Sequence, residues 1–229
     1  MELLNDDSTC MQQALVLLVL LPGANMTPTE MVDEGFVRAL RQRRLAVDVL
    51  LVGASLTYVY DGSMLDRLRD EVIAPYRARG YRRIWLAGIS LGGFVAMGYA
   101  MTNPGQIEGV LALAPYLGRR PLLQDIAAAG GPAAWATSVV PREDDIDQGL
   151  WRWLARLSVD APAGSPARTP ALHLGYGTED RFAEGHRLLA SILPSERVLT
   201  TSGGHDWAPW RQLWADWLDR SPLPTACAA

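Results

Sequence analysis

The chain has 229 residues, 49% hydrophobic and 20% charged, which suits one α/β domain with a sizeable core. Its net charge of -4 argues against a nucleic-acid surface. All of its 21 basic side chains are arginine, which excludes Schiff-base chemistry, Ser-Lys catalysis and a P-loop lysine.

Strand-like and helix-like runs alternate along the chain, as in a mainly parallel sheet of about six strands with helices on both faces. Ala14 to Leu21 is apolar throughout, the pattern of a central parallel strand, and too short to span a bilayer. The residues before it include Glu2, Asp6 and Asp7 and no arginine, unlike a signal peptide. After the loop Pro22 to Met26, Thr27-Pro28-Thr29-Glu30 offers a threonine cap, a proline in the first turn and a glutamate three residues after the cap. This predicts a helix reaching about Arg44. Ala46 to Val52 reads as a second strand, followed by a loop holding Tyr58 and Tyr60. Ser63 is placed to cap a helix with Leu65, Leu68, Val72 and Ile73 on one face, ending near Gly80. Arg41, Arg43 and Arg44, and likewise Arg77 and Arg79, cluster at predicted helix C-termini, where the helix dipole favours cations.

Arg82 to Ala87 is strand-like and Leu91 to Thr102 helix-like, and between them stands Gly88-Ile89-Ser90-Leu91-Gly92. A G-x-S-x-G set between strand and helix has the frame of a nucleophile elbow, with Ser90 at the tip of a strained turn. Gly88, Gly92 and Gly93 meet the need for small neighbours. Gly109 to Ala114 makes a fourth strand. From Pro115 to Pro170 the alternation fails in a stretch rich in Gly, Pro and Ala, with one helical candidate at Ile146 to Leu157. So long an interruption suggests a functional, cap-like insertion within a single domain spanning 1–229. Ala171 to Tyr176 resumes as a strand, then come a helix at Phe182 to Ile192, a strand at Arg197 to Thr201 and a helix at Ala208 to Leu218. In the last helix Trp210, Leu213, Trp214, Trp217 and Leu218 have the spacing of a core face.

A serine hydroxyl needs a general base, and histidine suits that role near neutral pH. Of three histidines, His173 falls inside a strand and His186 inside a helix. His205, in Ser202-Gly203-Gly204-His205-Asp206-Trp207, follows the last strand, at the carboxyl edge where sites form in open α/β sheets. Asp180 follows the penultimate strand at the same edge and is the candidate to orient the base, with Glu179 as the adjacent rival. Asp180 also fits as a helix cap for the residues from Phe182 onward.

The order Ser90, Asp180, His205 and the elbow resemble the α/β-hydrolase superfamily over roughly Ala14 to Leu218. The stretch Gly203 to Trp207 with Trp210-Arg211 is also similar to a C-terminal signature of some bacterial esterases. The resemblance implies a serine hydrolase acting through an acyl-enzyme on Ser90. It further implies an oxyanion hole from the backbone N–H of Leu91 and one from the loop after the first strand. Members often carry His-Gly in that loop. Here Pro22-Gly23-Ala24-Asn25 replaces it, which makes Ala24 the second donor and Asn25 the next candidate. With only 13 residues before Ala14, the usual two N-terminal strands are expected to be absent.

In the insertion, Trp135, Trp151, Trp153 and Leu154 are available to line an acyl site or to pack the cap onto the body. Arg119-Arg120 reads either as an attractor for an anionic substrate such as a coenzyme A thioester or as a solvated turn. The expected partner is a small acyl ester or thioester, with no cofactor, metal, nucleic acid or membrane. Acyl transfer with the same triad, or a retired scaffold used for binding, are the alternatives. Cys10 and Cys227 share no metal-ligand spacing and suggest no disulfide framework, so the expected location is the cytoplasm.

Overall fold

The computed structural model describes residues 1–8, 15–53, 56–138, 145–157 and 169–225. Cys10 and Cys227 lie outside these residues, so the disulfide expectation does too. In chain order the first elements are β1 (Glu2–Asp6), β2 (Val16–Leu21), α1 (Pro28–Asp33), α2 (Phe36–Gln42), β3 (Asp48–Gly53) and α3 (Leu56–Tyr60). Next come α4 (Met64–Arg67), a π-helical stretch Leu68–Ile73 and α5 (Ala74–Ala78), which run on as one helical segment. Then follow β4 (Arg83–Ile89), α6 (Leu91–Thr102), β5 (Gly109–Leu113), α7 (Arg120–Ala128), α8 (Pro132–Ser138) and α9 (Ile146–Leu157). The chain closes with β6 (Ala171–Gly177), α10 (Ala183–Ala190), β7 (Val198–Thr201) and α11 (Trp207–Arg220).

Among the described residues the sheet has seven strands in the order β1-β3-β2-β4-β5-β6-β7, all parallel except β1. Edge strand β1 corrects the expectation of no N-terminal strand: it runs antiparallel to β3, with Glu2 opposite Gly53 and Asp6 opposite Val49. Its residues are exposed or half-buried, and an edge strand carrying charges does not read as an apolar run. Strand β2 feeds two cores. Leu17, Val19 and Leu21 pack with α6 and α9, while Val16, Leu18 and Leu20 pack with α2 and α11. Burial on both faces is why the run is apolar without alternation.

The helix predicted from Thr27 to about Arg44 is broken at Gly35, whose φ of 85° ends α1 before α2 begins. Its start is as expected: Thr27 and Glu30 form a reciprocal capping box, with the Glu30 N–H donating to Thr27 Oγ1 at 3.2 Å. Ser63 makes no side-chain cap; instead its backbone N–H donates to Asp61 Oδ1 at 2.9 Å. Tyr58 and Tyr60 stand on α3, where a loop was expected. The segment between β5 and β6 contains α7 and α8 besides the expected α9.

Candidate active site

Ser90 sits between the last residue of β4 and the first of α6 with φ 51° and ψ -112°, a region that non-glycine residues rarely adopt. The surroundings force this conformation. A Cβ on Gly88 would overlap the Gly92 carbonyl, and one on Gly92 would overlap the carbonyls of Leu21 and Pro22. Strand, turn and helix therefore approach too closely for any side chain there. The Ser90 N–H donates to Leu113 O at 2.9 Å, and Ser90 O accepts from the N–H groups of Tyr116 at 3.0 Å and Phe94 at 3.2 Å. Three backbone bonds thus hold the strained residue.

Two further loops meet the elbow at the carboxyl edge. The Thr178 N–H donates to Thr201 O at 2.8 Å and the Glu179 N–H to Gly203 O at 3.1 Å, lacing the loop after β6 to the loop after β7. Side chains on the two loops then meet. His205 Nδ1 lies 2.7 Å from Asp180 Oδ2, and His205 Nε2 lies 3.0 Å from Ser90 Oγ. Asp180 Oδ1 accepts from the Phe182 N–H at 2.8 Å, so this carboxylate also serves the local turn. Glu179 points elsewhere: it accepts from the Gly203 N–H and from Thr178 Oγ1.

The Asp180 side chain is fully shielded and that of His205 is 9% exposed. Burial pushes the Asp180 carboxyl up, but hydrogen bonds from His205 and the Phe182 N–H, with the nearby imidazoles, hold it below its usual value. It is therefore an anion at neutral pH. Phe182 and Trp210 each present an edge-on ring to His205 with centroids 5.0 Å apart, which fixes the imidazole from two sides.

Beside Ser90 opens a cavity of about 460 Å³. Ala24 and Leu91 flank it at the serine end, and Phe94, Val95 and Gly98 carry it along α6. Tyr58, Val59, Met64 and Leu65 form the facing wall, and Ile146 and Asp147 from the first turn of α9 close one side. Tyr116, Phe182 and Arg181 complete the mouth. Leu91 is the first helical residue, so its N–H has no intrahelical acceptor and is free for a ligand oxygen. Ala24 lies in a turn closed by the Met26 N–H to Gly23 O at 3.2 Å, with Asn25 in the left-handed region at φ 60°. Asn25 is exposed and does not line the cavity.

The structure does not bring Trp151 or Trp153 to this cavity, which corrects the expectation that they bind substrate. Trp151 is wholly buried, and its indole N–H donates to Leu117 O at 2.7 Å. Trp153 is half-buried against the same core. Position along the helix is the reason: the first turn of α9 borders the cavity, and the later turns carrying Trp151 and Trp153 run on against the core. Arg119 faces Asp145 at 3.4 Å and Asp147 at 3.9 Å, a solvated ion pair that ties the start of α9 to the loop after β5. Burial, with the Asp145 charge, raises the Asp147 carboxyl. Sequence reasoning missed the lining residues Phe94 and Gly98, although their spacing of four and eight from Ser90 was a usable signal. No sequence signal marks Asp147 or Arg181. Among the described residues no group of histidine, cysteine or carboxylate side chains is arranged to hold a metal, and no helix is long and apolar enough to cross a membrane.

Comparison with known proteins agrees on the fold. The chain resembles an S-formylglutathione hydrolase from Staphylococcus aureus at 14% identity and a TM-score of 0.60, covering 93% of this chain and 82% of that one. A monoacylglycerol lipase from Paleococcus ferrophilus is 19% identical with a TM-score of 0.57, covering 95% and 98%. A bottromycin epimerase, solved with bottromycin A2, is 16% identical with a TM-score of 0.55, covering 95% and 92%. At these identities the likeness concerns the fold alone, which hosts more than one chemistry. No curated protein sequence matches the chain. The model of the alpha/beta hydrolase family matches residues 18–225, and with the elbow, sheet order and topology in place the chain belongs to that family.

Proposed function

We propose that the protein is a serine hydrolase that cleaves carboxylic esters through an acyl-enzyme on Ser90. The observation that carries this reading is the unbroken hydrogen-bonded chain from Asp180 through His205 to Ser90 Oγ, at 2.7 and 3.0 Å. His205 Nε2 takes the hydroxyl proton as Ser90 Oγ bonds to the acyl carbon, and the carbonyl oxygen becomes an oxyanion. The N–H groups of Leu91 and Ala24 receive that oxyanion. Collapse breaks the bond to the leaving alkoxy oxygen, which takes the proton from His205. Water then attacks the acyl carbon with His205 again as base, and the acid departs from Ser90. Throughout, the Asp180 carboxylate keeps Nδ1 protonated and stabilises the imidazolium.

The apolar length of the cavity along α6 suits an acyl chain, and the insertion at residues 115–170 acts as a partial cap through Ile146 and Asp147. A thioester hydrolase or acyltransferase would use the same groups. A fluorophosphonate should label Ser90 alone, and Ser90→Ala should abolish labelling and lower kcat by on the order of 10⁶. Labelling that survives Ser90→Ala overturns the assignment. Parallel assays with p-nitrophenyl esters and acyl-CoA separate ester from thioester cleavage.

A further inference from the structure

A second cavity lies at the opposite edge of the sheet from Ser90. It holds about 720 Å³ around the amino ends of β4, β5 and β6. Seven residues of β4 separate it from the elbow, a span of about 20 Å at the rise of an extended strand. Its lining is charged in an unbalanced way. Arg77, Arg82, Arg83, Arg156 and Arg197 face a single carboxylate, that of Glu108. This leaves an excess of four positive charges in one depression of a protein whose net charge is -4.

The partners of these guanidinia sharpen the imbalance. Arg83 alone is neutralised, by a two-pronged pair with Glu108 at 2.6 and 2.8 Å. Arg77 grips two carbonyl oxygens, of Arg82 and Gln106, and its Nε is a buried nitrogen with no acceptor among the described residues. Arg82 and Arg156 are exposed and Arg197 half-buried, and among the described residues none of the three has a carboxylate within ion-pair distance. Leaving several guanidinia together without anions is unfavourable unless water or a ligand compensates them.

We infer that this groove binds a small organic anion carrying two or more phosphate groups, of the size of a nucleoside diphosphate. Guanidinium forks match phosphate oxygens in pairs, so clustered arginines favour phosphate over a lone carboxylate. The depression is concave and of ordinary small-ligand size, which distinguishes it from the flat basic surface a nucleic acid needs. Ile107, Leu172, Ile192 and Leu193 give it an apolar floor on which a ring can lie. Burial, with a contribution from the Arg197 charge, holds the His173 imidazole down at about 4.

The test is calorimetric titration of the full chain, at fixed ionic strength, with ADP, pyrophosphate, adenosine and sodium sulfate. ADP and pyrophosphate should saturate with one site, and adenosine and sulfate should not. Arg156→Ala and Arg82→Ala, both on exposed side chains, should each weaken ADP at least tenfold with unchanged thermal melts. Arg220→Ala, exposed and outside the groove, makes the same change in net charge and should leave affinity unaltered. Ser90→Ala should bind ADP as wild type does, which keeps this outcome independent of the catalytic assignment. Absence of saturation at millimolar ADP overturns the inference. So does affinity indifferent to Arg82 and Arg156, or equal binding of sulfate, or preference for a long polyanion such as heparin over ADP.

Discussion

His186 Nε2 lies 2.9 Å from the carbonyl oxygen of Pro115, and this buried contact braces the elbow from behind. The residue after Pro115 donates its N–H to Ser90 O, and Ala114 before it is itself held at φ 45°. A helix that carries no proposed catalytic group is thereby bonded to the loop that supports the serine. Burial holds the His186 imidazole at about 4, so it stays neutral and donates its Nε2 proton to the carbonyl.

That depression has a sign. Between pH 6.5 and about 4 the unfolded chain binds protons at His186 and His173 while the folded chain does not, since both are depressed to about 4. Stability is full above pH 6.5 and should fall as pH drops through that window, by up to about 1.4 kcal/mol per pH unit for each histidine. Asp180, whose carboxyl is lowered, contributes its loss only below about 4, and the raised Asp147 acts in the opposite sense. His186→Gln keeps an N–H donor and should flatten the slope by roughly half. Urea melts at pH 4.5, 5.5 and 6.5 read it, and an unchanged slope refutes the account.

The two neighbouring carboxylates should separate cleanly in kinetics. Asp180→Asn should lower kcat by about 10⁴, because the wrong tautomer of His205 is then favoured. Glu179→Gln should cost far less, since its oxygens serve Thr178 and the Gly203 N–H. Equal losses would show that Glu179 matters as much through loop position as Asp180 does through the proton.

Trp151→Ala should act on stability and leave acyl selectivity alone. The side chain is wholly buried and loses an indole hydrogen bond to Leu117, so the expected loss is about 3–5 kcal/mol in chemical denaturation. A variant of native stability that selects against long acyl chains would restore the discarded role.

Gly98 is placed to set acyl length. It lines the cavity two turns along α6 from Ser90, and a Cβ added there would meet Leu65 Cδ1 and Cδ2 in ordinary contact at 3.6 and 3.7 Å, so a larger side chain narrows the cavity against Leu65. Gly98→Leu should displace about three methylenes of an octanoyl ester, weakening it by about 2–3 kcal/mol, while acetyl esters change little. Measured kcat/KM against acyl length decides, and a uniform loss across lengths would mean the chain does not lie along α6.

Several elements are legible in the sequence alone. The elbow helix Leu91–Thr102 and α9 at Ile146–Leu157 match their predicted bounds: the elbow glycines and Asn103-Pro104 bracket the first, and the helical spacing of Leu150, Trp151 and Leu154 marks the second. Strand β1 was not legible, since its pairing with β3 lies in tertiary space and its two leucines stand among Glu2, Asn5 and Asp6. Helices α7 and α8 were hidden by an alanine-, glycine- and proline-rich composition that supports helix or loop equally.

The sequence by itself determined the serine, its strained turn and the order of acid and base, because these depend on residue type and on position at strand ends. Only the tertiary structure decided between Asp180 and Glu179, one residue apart, since the lacing of two loops turns one carboxylate to His205 and the other to Gly203. It alone places the cavity wall on α6 and the α3–α4 segment and not on the tryptophans of α9, because packing decides which turn of α9 borders the cavity. Side chains distant in the chain, such as Arg77, Arg156 and Arg197, become one charged surface only when three parallel strands bring their amino ends together.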